Sequence, residues 1–309
     1  MKKSFFLSLL CLVPIILIVV TFELICRFII DDGLNYEFEM LKYASEFKKP
    51  DLEKYTVTHV PNKKKRIMGA EIRTGEYGFR NSVLKTNKKN FLLIGDSMTL
   101  GFGADKTFSD HLNERFTNFN FLNSGIGNTN TILQINNFFI NNKNLELDGI
   151  ILNFFINDLE KIELKEKSFI YNLYSFTYFK YKILTLKYIL SKKNFVDYYK
   201  HTFKDRNQLK HTIESIKKLN DYCKTKKIYF SVHFLPELNN IEDYPFKKEE
   251  EIIKNNLEEL GINYIQGFKY LEKEKSEDLW VTFYDRHANN KAHGLIADYL
   301  ENFLTFEFF

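Results

Sequence analysis

Cysteine is scarce. The 309 residues hold three, too few for the disulfide framework that staples small secreted domains. Cys11 and Cys26 lie in an apolar N-terminal stretch, which leaves Cys223 alone in the body as a small buried hydrophobe. An excess of one charge is also lacking. The net charge is +4, from 44 basic and 40 acidic residues interspersed along the chain. A nucleic-acid binder gathers its Lys and Arg on one face, so no nucleic-acid partner is expected. No His/Cys/Glu spacing suggests a metal site, and no phosphate loop or dinucleotide fingerprint occurs, so neither metal nor cofactor is expected. Internal repeats are absent. Charged residues at 27% and a mean hydropathy of −0.31 exclude both wholesale disorder and a polytopic membrane protein. A 44% hydrophobic content supplies one substantial core, and the length fits one large domain or two small ones.

One long apolar run does occur. Phe5 to Thr21 is almost continuously apolar and, extended through Ile29 and Ile30, is long enough to cross a bilayer. Lys2 and Lys3 precede it, whereas Asp31, Asp32, Glu37 and Glu39 follow. By the positive-inside rule the N-terminus is cytoplasmic and the body lies on the periplasmic or extracytoplasmic side of the cytoplasmic membrane. No small-x-small site closes the run, so an uncleaved single-pass anchor over residues 1–32 is preferred to a signal peptide. Residues 33–88 are polar, carry the run Lys63-Lys64-Lys65-Arg66, and read as a juxtamembrane segment with that run in a solvated turn.

From residue 89 short apolar runs alternate with amphipathic stretches. Strands are expected at Phe91–Ile94, Phe119–Leu122, Gly149–Phe155, Ile228–Leu235 and Asn263–Ile265. Helices are expected near Phe108–Phe116, Thr131–Asn141, Lys247–Leu260 and Asn290–Leu304. Near-continuously apolar strands alternating with helices predict an α/β fold with a parallel sheet covered on both faces, spanning residues 89–309. A segment of about 160–207 interrupts the rhythm. Rich in Tyr, Phe and Lys, it reads as inserted amphipathic helices, either a layer on the core or a lid or membrane-facing surface.

Three blocks carry chemistry. Gly95-Asp96-Ser97 follows the first strand directly, where a Ser at a strand-to-helix turn is exposed at the carboxyl edge of the sheet. The G-x-S-x-G elbow of α/β-hydrolases is absent. Asn123-Ser124-Gly125-Ile126-Gly127 and Ile156-Asn157-Asp158 end the second and third strands at the same edge. A backbone N–H and an Asn amide are the neutral donors that an oxyanion hole requires, although Gly127 could serve a turn and Asn157 could cap a helix. Tyr284-Asp285-Arg286-His287 precedes the last helix and can supply a general base, His287, oriented by Asp285. His293 is the rival base, and His233 sits inside a strand as a packed core residue.

Together these blocks resemble the SGNH (GDSL-type) hydrolase superfamily, in particular its membrane-anchored bacterial members, over about Gly75 to Leu304. The run Gly78-Phe79-Arg80 and the placement of His293 are similar to anchored members as well. The resemblance implies a flavodoxin-like three-layer α/β/α sandwich. It implies Ser97 as nucleophile, Ser97, Gly127 and Asn157 as the oxyanion hole, and His287 with Asp285 as base and orienter. Three departures stand out. Phe155 replaces a Gly and narrows the acyl slot; the last block is Asp-x-His rather than Asp-x-x-His; and the second block is one residue short, which leaves Gly125 as an alternative to Gly127. The implied activity is a serine esterase acting on an O-acyl, above all O-acetyl, ester of an extracytoplasmic glycan or lipid. The alternatives are an O-acyltransferase on a cell-envelope polysaccharide and a catalytically silent glycan-binding scaffold. The implied partners are the acylated glycan or lipid and, through the N-terminal helix, the membrane.

Overall fold

The computed structural model describes residues 2–165, 169–191 and 194–308. The chain divides into two compact units, one of residues 1–46 with 166–193, the other of residues 47–165 with 194–309.

Along the chain, α1 (Lys2–Ile25) continues through a π turn (Cys26–Ile30) and is followed by α2 (Tyr36–Glu46). Four short strands follow as two antiparallel hairpins, β1 (Lys48–Asp51) with β2 (Thr56–His59) and β3 (Lys64–Ile67) with β4 (Ala70–Arg73). Then come β5 (Lys89–Ile94), α3 (Ser97–Leu100), α4 (Phe108–Arg115), β6 (Phe119–Asn123), α5 (Thr131–Asn137, prolonged by a π turn to Asn142) and β7 (Gly149–Phe155). The remainder is α6 (Tyr174–Ser191), α7 (Phe195–Thr202), α8 (Arg206–Lys226), β8 (Tyr229–Leu235), α9 (Lys247–Glu259), β9 (Asn263–Ile265) and α10 (Asn290–Phe308).

The larger unit is built on a five-stranded parallel sheet in the order β6-β5-β7-β8-β9. This is the flavodoxin-like order, and the α/β sandwich expected from the sequence is present. The connection from β5 to β6 runs one way and that from β6 to β7 runs back, so right-handed crossovers put α4 and α5 on opposite faces. Accordingly α4 packs with α10 and α5 packs with α8. The strands are apolar on both sides because both faces are covered. In β7, Ile150, Ile151, Leu152 and Phe154 are all fully buried, each worth about 1.5–3 kcal/mol of transfer free energy. Helix starts are fixed locally: Thr107 and Asp110 form a reciprocal capping box on α4, and Asn130 Oδ1 accepts from Leu133 N on α5 at 2.9 Å.

The chain does not divide at residue 88. Residues 47–88 fold onto the α/β body, and only residues 33–46 go with the N-terminal helix. Val57, Ile67, Ala70 and Ile72 are buried, and Arg80 N donates to Asn123 O at 2.8 Å, which ties this segment to the end of β6. Strands of four residues offer too few alternations to announce themselves by periodicity. The basic run is not a turn either. Lys64–Ile67 is β3, with Lys64 paired to Glu71 across the hairpin at 2.9 Å. The insertion is likewise split: α6 belongs to the smaller unit, while α7 packs Phe195, Val196 and Tyr199 on the core of the larger.

In the smaller unit Glu23 accepts hydrogen bonds from Tyr174 N (3.1 Å), Ser175 N (2.8 Å) and Ser175 Oγ (2.6 Å), capping α6. Arg27 pairs with Glu23 at 2.6 Å and stacks its guanidinium 4.4 Å from the centre of the Tyr174 ring. Leu12–Ile30 is apolar and long enough to cross a membrane.

Candidate active site

The site begins where β5 stops. A β-carbon at Gly95 would collide with the Thr99 side chain and crowd Asn153 O, so only glycine lets the chain turn here. Asp96 then accepts from Met98 N at 2.8 Å, fixing the turn that starts α3, and Ser97 is its first residue. A β-carbon at Gly125 would collide with the backbone of Thr99 and Leu100, and Ile126 N donates to Gly95 O at 3.0 Å. The turn after β6 is thereby laid against the turn after β5. β5 and β7 are neighbours whose connections leave in opposite directions, which is the switch point where ligands bind in open parallel sheets. Ser97 follows one of these strands and Asn157 the other.

The third block arrives on a tight turn. Val281 N donates to His287 O at 3.0 Å, Trp280 and Ala288 form an antiparallel bridge, and Asn289 Nδ2 holds the carbonyls of Asp278 and Trp280. From this turn His287 Nε2 lies 2.8 Å from Ser97 Oγ, and His287 Nδ1 lies 2.5 Å from Asp285 Oδ1. With Nδ1–H donating to Asp285, the neutral ring presents Nε2 as acceptor to the Ser97 hydroxyl. His287 N also donates to Asp285 Oδ1 at 3.1 Å, and the ring packs on Phe102 with centroids 5.3 Å apart. Burial pushes the His287 pKa down, but the Asp285 and Asp96 carboxylates outweigh it, and the net direction is up from 6.5. The relay can take a proton from the Ser97 hydroxyl and hold the resulting imidazolium beside a carboxylate.

His293 lies elsewhere. It is fully buried, its Nδ1 accepts from Phe108 N at 3.3 Å, and burial pulls its pKa down to about 3. His233 is a core residue of β8, held by Asn153 Oδ1 at 3.0 Å and Tyr270 OH at 3.3 Å. Cys223 is buried, with its thiol pKa pushed up to about 12.

The donors expected for an oxyanion lie on the same edge. Among the described residues the Ser97 N–H has no acceptor. Gly125 gives its N–H to Asn123 Oδ1 at 3.1 Å, while Gly127 O accepts from Lys48 Nζ at 2.8 Å, which pins the Gly127 turn to the first hairpin. Asn157 Nδ2 donates to Asp96 Oδ2 at 3.1 Å. That bond uses one of the two amide hydrogens and fixes the plane of the other. Asn157 sits within a short 3-10 helix (Ile156–Leu159), and the capping contact there is made by Asp158, whose Oδ2 accepts from Phe155 N at 2.9 Å. Asp158 is fully buried, with Gln134 Nε2 on its other oxygen at 2.9 Å; burial and the nearby Asp96 charge drive its pKa well up. Phe155 is half-buried and packs on the core beside these groups.

No protein-family model matches the chain, and no curated protein matches it. Similar solved structures do exist. One is a Lactobacillus plantarum protein, 13% identical over 73% of this chain and 100% of that one, with a TM-score of 0.46. Another is a member of the lipolytic G-D-S-L family from Veillonella parvula, 14% identical over 70% of this chain and 98% of that one, TM-score 0.42. A third is an acetyl xylan esterase, 13% identical over 69% of this chain and 98% of that one, TM-score 0.44.

Two participants carried no assigned role in the sequence reading. Asp96 stood in the Ser97 block only as a neighbour, yet its carboxylate holds both the α3 turn and Asn157, a residue 61 positions away. Arg80 is fully buried and closes the far end of α3, donating to Leu100 O (2.7 Å), Gly101 O (2.5 Å) and Ala104 O. The carbonyls of the nucleophile turn are therefore satisfied by a cation from outside the sheet. The sequence signal was the Gly78-Phe79-Arg80 run itself.

Proposed function

We propose that this chain is a serine esterase of the SGNH kind, removing a short acyl group, above all acetyl, from an ester on an extracytoplasmic glycan or lipid. The observation that carries this reading is the unbroken relay from Ser97 Oγ through His287 to Asp285, with contacts of 2.8 and 2.5 Å, at the switch point of the sheet. Ser97 Oγ attacks the ester carbonyl as His287 Nε2 takes its proton. The carbonyl oxygen becomes an oxyanion facing the Ser97 N–H, the Gly127 turn and the Asn157 amide. Collapse expels the alcohol, which leaves with the proton from His287, and Ser97 retains the acyl group. Water, deprotonated by the same His287, then releases the acid and restores the hydroxyl. Asp285 holds the ring in the tautomer that both steps require.

The N-terminal helix suits a single-pass anchor, with Lys2 and Lys3 before its apolar run and acidic residues after it. By the positive-inside rule that arrangement supports a body outside the cytoplasm, in reach of acylated envelope glycans and lipids. The test is hydrolysis of 4-nitrophenyl acetate by the full-length chain in detergent, together with labelling by a fluorophosphonate probe. Turnover and labelling that both vanish in Ser97→Ala are expected. Labelling without turnover in water, restored by an added sugar alcohol, would make the protein an acyltransferase; a folded chain that neither labels nor hydrolyses would overturn the reading.

A further inference from the structure

A cleft of about 190 Å³ opens beside the Gly127 turn, between the β1–β2 hairpin, the turn at Glu76–Phe79, and the stretch from Ser124 to Asn142. Its rim is exposed and carries Lys49, Glu76, Tyr77 and Asn141; its floor is buried and carries Asn137 and Asn142. A smaller recess of about 10 Å³ continues inward past Ser124 and Asn142 to Gly95 and Gln134. The cleft is many times the ~10–15 Å³ that seats one water, whereas the recess holds about one.

The floor is what distinguishes this cleft from an ordinary surface hollow. Asn142 is 8% exposed, yet among the described residues its side-chain amide has no protein partner. Asn137 is 7% exposed; its Oδ1 accepts from Asn141 Nδ2 at 2.8 Å, and its own amide nitrogen has no partner among the described residues. Deeper in, Gln134 Oε1 is buried without a partner. Leaving a buried polar group unpaired costs about 1–3 kcal/mol, and Gln134 Oε1 in the recess is such a group; the Asn137 and Asn142 side chains line the cleft, where their unpaired amide groups are open to whatever fills it.

The chemistry of that occupant is constrained. Amides offer donors and acceptors together and carry no charge, and Lys49 and Glu76 at the rim cancel. An anion or a cation would find no net partner here, but a molecule dense in hydroxyls would, since each hydroxyl both donates and accepts. Tyr77 adds a flat apolar face, 44% exposed, braced by the Phe79 ring at 5.9 Å and 27°. An aromatic face beside convergent polar groups suits a ring with one polar edge and one apolar face.

We propose that this cleft is a subsite for a neutral sugar unit. It rests on the glycan reading above for its place in the reaction: Ser124 and Ile126 of its wall belong to the turn that carries Gly127, so a sugar seated here engages the same glycan chain whose ester meets Ser97. Substrate selection then depends on the sugar chain as well as on the acyl group.

The test separates this subsite from the esterase reading. Binding of unacetylated xylotetraose, mannopentaose and the tetramer of N-acetylglucosamine is measured by saturation-transfer NMR on the full-length Ser97→Ala chain, in a detergent without a sugar headgroup. At least one of them is expected to bind, and Asn142→Ala and Tyr77→Ala, each added to that chain, should weaken it by about 10-fold, or ~1.4 kcal/mol. Tyr77 stands at the exposed rim, so its variant keeps the test readable if Asn142→Ala fails to fold. Absence of binding by all three sugars at about 10 mM, where a millimolar Kd would show, overturns the subsite, as does binding that neither variant weakens. Wild-type turnover of 4-nitrophenyl acetate is the separate readout of the esterase reading, and its loss leaves the sugar measurement intact.

Discussion

The two units spend their apolar residues in opposite ways. In the larger, the sheet strands are closed on both faces, and Leu152 is 0% exposed. In the smaller, Ile18 is 68%, Phe28 78% and Leu190 72% exposed, although these side chains are no more polar. An apolar side chain in the body has found its partners within the chain, and its burial drives folding in water. On α1 and α6 only part of the apolar surface is used this way, as where Phe22 packs on Phe179 with centroids 4.9 Å apart, while Ile18 and Leu190 stay exposed, and contiguous exposed apolar surface marks an interaction site. Polar groups follow the same division. The body gathers one group of buried polar residues at a single sheet edge, where Ser97, Asn157 and Asp96 meet, whereas the smaller unit uses Glu23 and Arg27 to fasten α6 to α1.

The sharpest break of that comparison is at the edge of the body. Ser97→Ala removes a hydroxyl that no strand or helix needs, so turnover of 4-nitrophenyl acetate should fall by about 10⁴- to 10⁶-fold. The melting temperature should hold within the small scatter of benign substitutions. A large loss of stability with surviving turnover would move the nucleophile elsewhere.

Asn157→Ala comes next. As an oxyanion donor it should cost about 100- to 1000-fold in kcat, with little change in KM or melting temperature. Asp158→Asn should cost less turnover but more stability, because Asp158 caps the short helix and holds Gln134. If stability drops in Asn157→Ala while kcat survives, the residue is a structural member of the turn.

These two residues also show what was legible in the sequence. Ser97, Asn157 and the Asp285–His287 pair each stand in a short polar block at the end of an apolar strand or before a helix, and position along the chain alone brought them to one edge. The five sheet strands were legible for the same reason: Gly149–Phe155 is apolar from end to end and occupies the position expected of it. Asp96 and Arg80 were legible as letters but not as roles. What they do depends on Asn157 and on the carbonyls of Leu100, Gly101 and Ala104, far along the chain, and no local pattern encodes a partner at that separation. The hairpins over residues 47–88 escaped notice because their strands are four residues long and expose charged faces, as in Lys64–Ile67.

A third prediction concerns proton balance at the same edge. The Asp285 and Asp96 carboxylates raise the His287 pKa above 6.5 against the opposing pull of burial. Since the base works as the neutral ring, kcat/KM should rise with pH through a midpoint above 6.5. Asp285→Asn removes one of the raising charges, so the midpoint should move to lower pH while the plateau drops. A midpoint that stays in place would mean that another group sets the limb, with Asp285 serving the fold of its turn alone.

Within the body, Leu152→Ala should cost about 2–5 kcal/mol, the range for a large-to-small change at a fully packed position. Denaturant unfolding of the full-length chain in detergent reads this directly. A cost below about 1 kcal/mol would mean that β7 relaxes into the space, and that the body is less closed than its buried strand implies.

The same chemical change on α6 should do almost nothing. Leu190 is exposed, so Leu190→Ala takes away a side chain whose surroundings barely change when the chain unfolds, and the expected cost is within about ±0.5 kcal/mol. That small number distinguishes water from lipid only when a charge is set beside it. Leu190→Asp should be as silent as Leu190→Ala if α6 faces water. If α6 shares the apolar medium of α1, the charge costs up to about 2.5–3.5 kcal/mol at full depth and less near the interface. The measurement is the fraction of full-length protein retained on lipid vesicles after an alkaline wash, for both variants side by side. Reduced retention of the Asp variant alone would put Leu190 in an apolar phase; equal retention of the two would put it in water.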